Sequence, residues 1–435
     1  MVFQKHRRFA ESPILIGLEM VGISMILVGT LVSHVRLTYA NIGLLICGVC
    51  VFVNYSLGVK PVFIFNKKII WAFACMLFVY IISLCIHQEG WQVSWEYLRN
   101  KMLLVGFPLV FCLVRYRCRA IEYIYVWLYI GFANLICLFA TLNYIFYLDN
   151  NFSGNDVLNE RYIPFAIQHH MISIMINVVI FLTLDFYFKN KENLQIWQTI
   201  GIAIVILADF AFIFITGARV GMLILIISII IVLFYKLKSA KKLVIPILIV
   251  CIAIFTLLFN FSASVKGRIE KTISEINYVV NSYKNEDTKV EHVGNFTARI
   301  ISYQDNFELI KLNFWTGIGL VQFDETLVRH FDTIYAKDDY VHRQFPPNTW
   351  LRYALSMGVP LMFLFMLFFL MPLFLDSNFK NMLVLLSFLS LFIYSNSEAP
   401  LEYTMPFRFY VVLLCLVFRN QYALNPNDNI VNTRK

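Results

Sequence analysis

The stretch Pro13-ILIGLEMVGISMILVGTL-Val32 carries a single charge, Glu19. A helix rises about 1.5 Å per residue, so roughly 20 such residues cross a hydrocarbon core about 30 Å thick. Lys5-His6-Arg7-Arg8 ahead of it resembles the start of a signal peptide. The apolar run is too long for one and lacks a small-residue cleavage site, so it is expected to remain as a first membrane span. Similar runs recur along the 435 residues. They do not alternate polar and apolar residues as barrel strands do, which leaves the helix as the spanning element. The composition agrees: 59% of residues are hydrophobic and 14% charged, against about a quarter charged in a soluble domain.

The pattern predicts twelve transmembrane helices, at roughly 13–33, 39–57, 69–86, 102–114, 121–148, 164–187, 197–216, 220–235, 243–260, 348–374, 381–395 and 406–418. Lys and Arg in short loops orient them. Lys5, Lys67, Arg117, Lys189, Lys241, Lys380 and Arg419 mark clusters on one side that together hold nineteen basic residues. The short loops of the other side hold only Arg36, Arg99, Lys101, Arg161, Arg219 and Arg408. Both termini are therefore expected in the cytoplasm, and the long segment 261–347 outside. That segment is patterned: Ile269, Ile273, Ile276, Val280 and Tyr283 recur at helical spacing, and a second helix is expected from Thr297 through Ile300, Tyr303, Phe307 and Ile310. The expectation is an all-α integral membrane protein, a single domain over 1–435, with an ordered helical extracytoplasmic loop between the ninth and tenth spans.

The formal charge of +9 is spread through short clusters between apolar runs, so topology explains it better than nucleic acid does. None of the nine cysteines falls in the polar segment, where no disulfide is expected. No D-x-D motif, Walker loop, G-x-G-x-x-G after a strand or H-E-x-x-H appears, which speaks against chemistry fuelled by cytoplasmic nucleotides. No metal and no cofactor is expected.

Candidate site residues lie at the outer helix ends. Thr216-Gly217-Ala218-Arg219-Val220-Gly221 is a tight hairpin in which Gly217 and Gly221 let an anionic group approach the backbone. Arg219 stands beside a helix N-terminus that also favours anions. A snorkelling arginine is the plainer alternative. Arg299 opens the second loop helix, and Gly317 and Gly319 allow the loop to fold back over the membrane. On a solvated helix, Arg299 has the plainer reading of a surface charge. Arg161, His169 and His170 precede or begin the sixth span; adjacent histidines face different sides of a helix, so substrate contact or packing is expected there and a metal is not. Asp209 and Glu19 are costly inside spans and open to either packing or function. In Ser397-Glu398-Ala399-Pro400-Leu401-Glu402, with Arg408 near, the acids serve as ion-pair partners or Glu398 as a base.

Twelve spans with a large outer loop, the Gly-Ala-Arg-Val-Gly hairpin, Thr297-Ala298-Arg299 leading to Gly317-Ile318-Gly319, and Pro347-Asn348-Thr349-Trp350-Leu351 followed by Gly358 resemble the O-antigen ligase and polymerase superfamily of bacterial envelopes. The resemblance covers most of the chain in layout and four short motifs in letters. It implies a membrane glycosyltransferase acting, without metal, at the outer face of the cytoplasmic membrane. Its donor would be an undecaprenyl-diphosphate-linked glycan, with Arg219 and Arg299 stabilising the leaving diphosphate and Asn348 at the substrate. It further implies the lipid bilayer, a chain-length regulator and a flippase as partners. Ligases of the superfamily place a His before the Asn; here Pro347 stands there and the nearest histidine is His342. The expectation moves accordingly to a polymerase of lipid-linked repeat units, with a ligase as the alternative and a polysaccharide flippase as the alternative of another class.

Overall fold

The computed structural model describes residues 13–31, 38–56, 63–88, 90–113, 119–148, 169–216, 218–236, 270, 273–277, 295–321, 323–334, 346–402 and 404–423. Among them every regular element is a helix. In chain order these are α1 (Pro13–Leu31), α2 (Thr38–Ser56), α3 (Lys67–His87), α4 (Trp91–Lys101), α5 (Leu103–Cys112), α6 (Arg119–Leu148), α7 (His169–Asn190), α8 (Ile196–Thr216), α9 (Arg219–Lys236), α10 (Asn295–Leu312), α11 (Phe323–Ile334), α12 (Thr349–Met357), α13 (Val359–Phe374), α14 (Met382–Ser397) and α15 (Thr404–Ala423). A 3-10 turn, Leu375–Lys380, joins α13 to α14.

Six helices are long and apolar enough to cross a membrane: α1, α2, α3, α6, α7 and α8. Shorter apolar segments lie in α9, α13 and α14. The protein is thus an all-helical membrane protein. The ninth expected span, 243–260, and most of the first loop helix lie outside the described residues, as do the positions of Arg161, Gly217 and His342. Two expectations change. The tenth span is not one helix but two, α12 and α13, divided at Gly358, whose φ of +86° is a left-handed value that suits glycine. Residues 91–101, expected as loop, form the amphipathic α4, which runs into α5 through Met102.

Packing explains the arrangement. α1 and α2 meet backbone to backbone: a Cβ on Gly43 would lie 2.5 Å from the Gly22 carbonyl oxygen, so only small residues permit this crossing. α15 is buried on every side from Pro406 to Asn420 and forms the axis on which α1, α5, α6 and α14 pack. A helix apolar around its whole circumference has no face to give to solvent or lipid, so it belongs inside the bundle. α15 also carries Arg408 and Arg419, which stand about 16 Å apart along its axis and mark the two ends of the molecule.

Candidate active site at the Arg299 end

The hairpin expected from sequence is present: α8 ends at Thr216 and α9 begins at Arg219, with the Ala218 carbonyl accepting from the Met222 amide. Gly221 has a different use from the one expected. A Cβ there would collide with the Ser173 side chain of α7, and Asn177 Nδ2 donates to the Gly221 carbonyl at 3.1 Å. Gly221 thus seats α9 against α7. That contact brings the start of α9, with Arg219, beside the start of α7, where His169 and His170 lie.

Arg299, on the first turns of α10, reaches across to the end of α14. Its Nη1 donates to the Ser397 carbonyl at 2.8 Å and its Nη2 to Glu398 Oε1 at 2.7 Å. The two side chains remain 40% and 34% exposed, so the pair faces open space. Burial pushes the Glu398 carboxyl above the ordinary glutamate range, and the Arg299 guanidinium pulls it part of the way back. α14 also packs on α7 and on α9, the helix that Arg219 begins.

Two devices hold this pair in place. Asn348 caps α12: its Oδ1 accepts from the Leu351 amide at 2.7 Å, and its Nδ2 donates to the Tyr303 hydroxyl of α10 at 2.8 Å. The Thr349 amide next to it donates to the Glu398 carbonyl at 3.0 Å. Asn348 is thus a positioning residue that ties α10, α12 and the α14 terminus together. The second device is the fold-back. Gly317 and Gly319 have φ of +76° and +104°, the Ile318 and Gly319 amides donate to the Leu355 and Ser356 carbonyls, and Val359 N–H donates to the Phe314 carbonyl. A Cβ on Gly317 would lie 2.5 Å from Ser356 backbone atoms. The loop after α10 is thereby stitched to the break between α12 and α13. His87, at the end of α3, completes the contact with Nε2 3.3 Å from the Gly317 carbonyl oxygen.

Other charges at this end are arranged differently from expectation. Glu402 pairs with Lys101, not with Arg408; Lys101 is buried among Tyr80, Tyr97 and Phe407 and donates to the Leu401 carbonyl at 2.7 Å. Arg408 contacts Asn41 and Asn100. Arg352 is buried against Phe323 and paired with Asp324 at 2.7 Å. Tyr80 and Tyr353 share a hydroxyl–hydroxyl hydrogen bond between α3 and α12. Lys101 was legible only as one basic loop residue, and nothing in the sequence marks the two tyrosines as partners. No group of three or more His, Cys, Asp or Glu side chains converges among the described residues.

These contacts hold a partly exposed arginine–carboxylate pair at the end of α14. Residues 202–366 match the family model Wzy_C, described as O-antigen ligase, so this stretch is similar to that family. The matched stretch contains Arg219, Arg299, Gly317, Gly319, His342 and Asn348, and ends before Glu398 and Arg408. No curated protein matches the chain.

Proposed function

We propose that the protein polymerises undecaprenyl-diphosphate-linked oligosaccharide repeat units at the outer face of the bacterial cytoplasmic membrane, without a metal. In this reading the chain crosses the membrane twelve times, both termini are cytoplasmic and 261–347 lies outside. The observation that carries it is the Arg299–Glu398 pair. A guanidinium has five N–H donors, of which two serve Ser397 and Glu398, so donors remain for phosphate oxygens. An acceptor hydroxyl attacks the anomeric carbon of the donor glycan. The new glycosidic C–O bond forms as the bond to the lipid diphosphate breaks. The hydroxyl proton passes to the Glu398 carboxylate, and the charge that develops on the leaving diphosphate is stabilised by Arg299 and, from the hairpin, by Arg219. A base held next to an arginine has its charge favoured by the same group that binds the leaving anion.

A ligase is the second reading, favoured by the description of the matched family. Against it stands Pro347 in the position before Asn348, where ligases carry their histidine. The glycolipid profile of a deletion strain separates the two: single repeat units on the anchor mark a lost polymerase, and long lipid-linked polymer that never reaches the anchor marks a lost ligase. Unchanged surface glycan and intact lipid-linked intermediates would overturn both. Accumulation of undecaprenyl-linked units on the cytoplasmic side alone would instead indicate a flippase.

A further inference from the structure

Arg408 is the most poorly compensated cation among the described residues. It lies in the second turn of α15, is 6% exposed, and its Nε is buried without a hydrogen-bond partner. Its two other nitrogens reach neutral amide oxygens at long range, Asn41 Oδ1 at 3.5 Å and Asn100 Oδ1 at 3.4 Å. The charge that acts on it is a second cation, Arg99, which is exposed at the end of α4. The neighbouring carboxylate, Glu402, is engaged by Lys101 and by the Tyr97 hydroxyl. Burying an arginine without a counter-charge is costly, and among the described residues the charge acting on Arg408 is a like one.

We infer that Arg408, Arg99, Asn41 and Asn100 form a second anion site, separate from the Arg299–Glu398 pair, which takes the diphosphate headgroup of the acceptor lipid-linked glycan. The identity of the occupant rests on the polymerase reading, in which both substrates are lipid-borne and two diphosphates must be held at once. The site itself rests on Arg408 alone: Arg299 is bonded to α14, Arg408 to α2 and α4, and the two share no partner. A diphosphate would give the Arg408 nitrogens short charge-assisted bonds in place of two long neutral ones. Seated on α4, it would lie at the same end of the bundle as the donor.

The test counts lipids on the full-length protein in phosphatidylcholine nanodiscs titrated with undecaprenyl diphosphate and read by native mass spectrometry. The wild type is expected to bind two, Arg408→Gln one, and Arg408→Lys two. Because Arg99 is exposed, Arg99→Gln should fold normally and weaken the second binding event several-fold, which keeps the test valid if Arg408→Gln does not fold. Arg299→Gln should lose the other lipid. Phosphatidylglycerol or inorganic pyrophosphate at equal concentration should not displace the second lipid; displacement by either means a general anion site and overturns the acceptor assignment. Two lipids retained by both Arg408→Gln and Arg99→Gln would overturn the site and leave the donor proposal standing. A wild type that binds one lipid, lost with Arg299→Gln, would do the same. A wild type that binds none would remove the donor proposal and this inference together.

Discussion

The two ends of α15 handle arginine in opposite ways. At the Arg419 end the guanidinium is fully buried and gripped by both oxygens of Glu122 at 2.6 and 2.8 Å, over the ring of Tyr125, with the two side chains 0% and 2% exposed. Around it Asn420 donates to Asp185, Asp185 pairs with Lys189 at 2.7 Å, Gln421 donates to Asn378, and Asn66 donates to Asp376. At the Arg299 end the comparable pair is more than a third exposed, and among the described residues no acid is paired with Arg408. This buried, charge-paired network, in which Arg419 Nη1 and Gln421 Oε1 still have no hydrogen-bond partner, specifies a fold. The proposed function assigns the open arginines to a ligand that is not part of the chain.

The largest expected effect breaks the closed end. Arg419→Ala leaves Glu122 buried without its partner and should cost about 3 to 5 kcal/mol, seen as loss of folded protein from the membrane and a lower unfolding temperature in detergent. The double change Arg419→Met with Glu122→Met should recover much of that loss, because neither charge is then left alone.

Next come the arginines of the open end. Arg299→Ala removes a half-exposed pair worth about 0 to 1 kcal/mol to stability, so protein level should hold. Polymer formation should fall by roughly a hundredfold to a thousandfold, as for loss of one transition-state donor at about 3 to 4 kcal/mol. Arg219→Ala should act in the same direction, and lysine at either position should rescue only partly because it lacks the planar fork. Polymer laddering in cells matched for membrane protein reads this out; near-normal ladders from both alanine variants would erase the contrast between the ends.

A smaller effect is expected from the stitching that holds the pair. Gly317→Ala places a Cβ against the Ser356 backbone at a positive φ and should cost about 1 to 3 kcal/mol, with lower thermal stability and shorter ladders. An unchanged unfolding temperature would show that the fold-back is not needed.

The smallest is a shift in pH dependence. Burial holds Glu398 above the ordinary glutamate value of about 4.3, so its carboxylate, and with it the base and the pair with Arg299, is lost on acidification at a higher pH than for an exposed glutamate. For stability the sign is opposite: the raised value favours the neutral form in the folded state. That contribution is complete below the ordinary glutamate value and disappears as the pH rises through the raised one. The acidic limb of the wild-type activity profile should therefore lie above the ordinary glutamate range, and Glu398→Gln, which removes the proposed base, should lower activity about a hundredfold or more at every pH. An acidic limb identical in the variant would assign the base elsewhere.

The sequence by itself determined the helical membrane class and the placement of most elements. Apolar runs of spanning length leave the backbone no other way to satisfy its hydrogen bonds in lipid. The observed α1, α2, α3, α6, α8 and α14 fall close to their expected bounds, and the motif around Arg219, Arg299 and Gly317 was legible because glycine and arginine are scarce at apolar helix ends. What only the tertiary structure decided is which charge meets which. Glu398 pairs with Arg299 from 99 residues away, Glu402 with Lys101 from 301, and Arg419 with Glu122 from 297. Gly221 and Gly317 read alike as turn glycines, yet one admits a neighbouring helix and the other a left-handed turn. Hydropathy is a property of each residue and survives in the linear order. Charge pairing depends on which helices pack on α15, a contact between distant segments that no local pattern encodes.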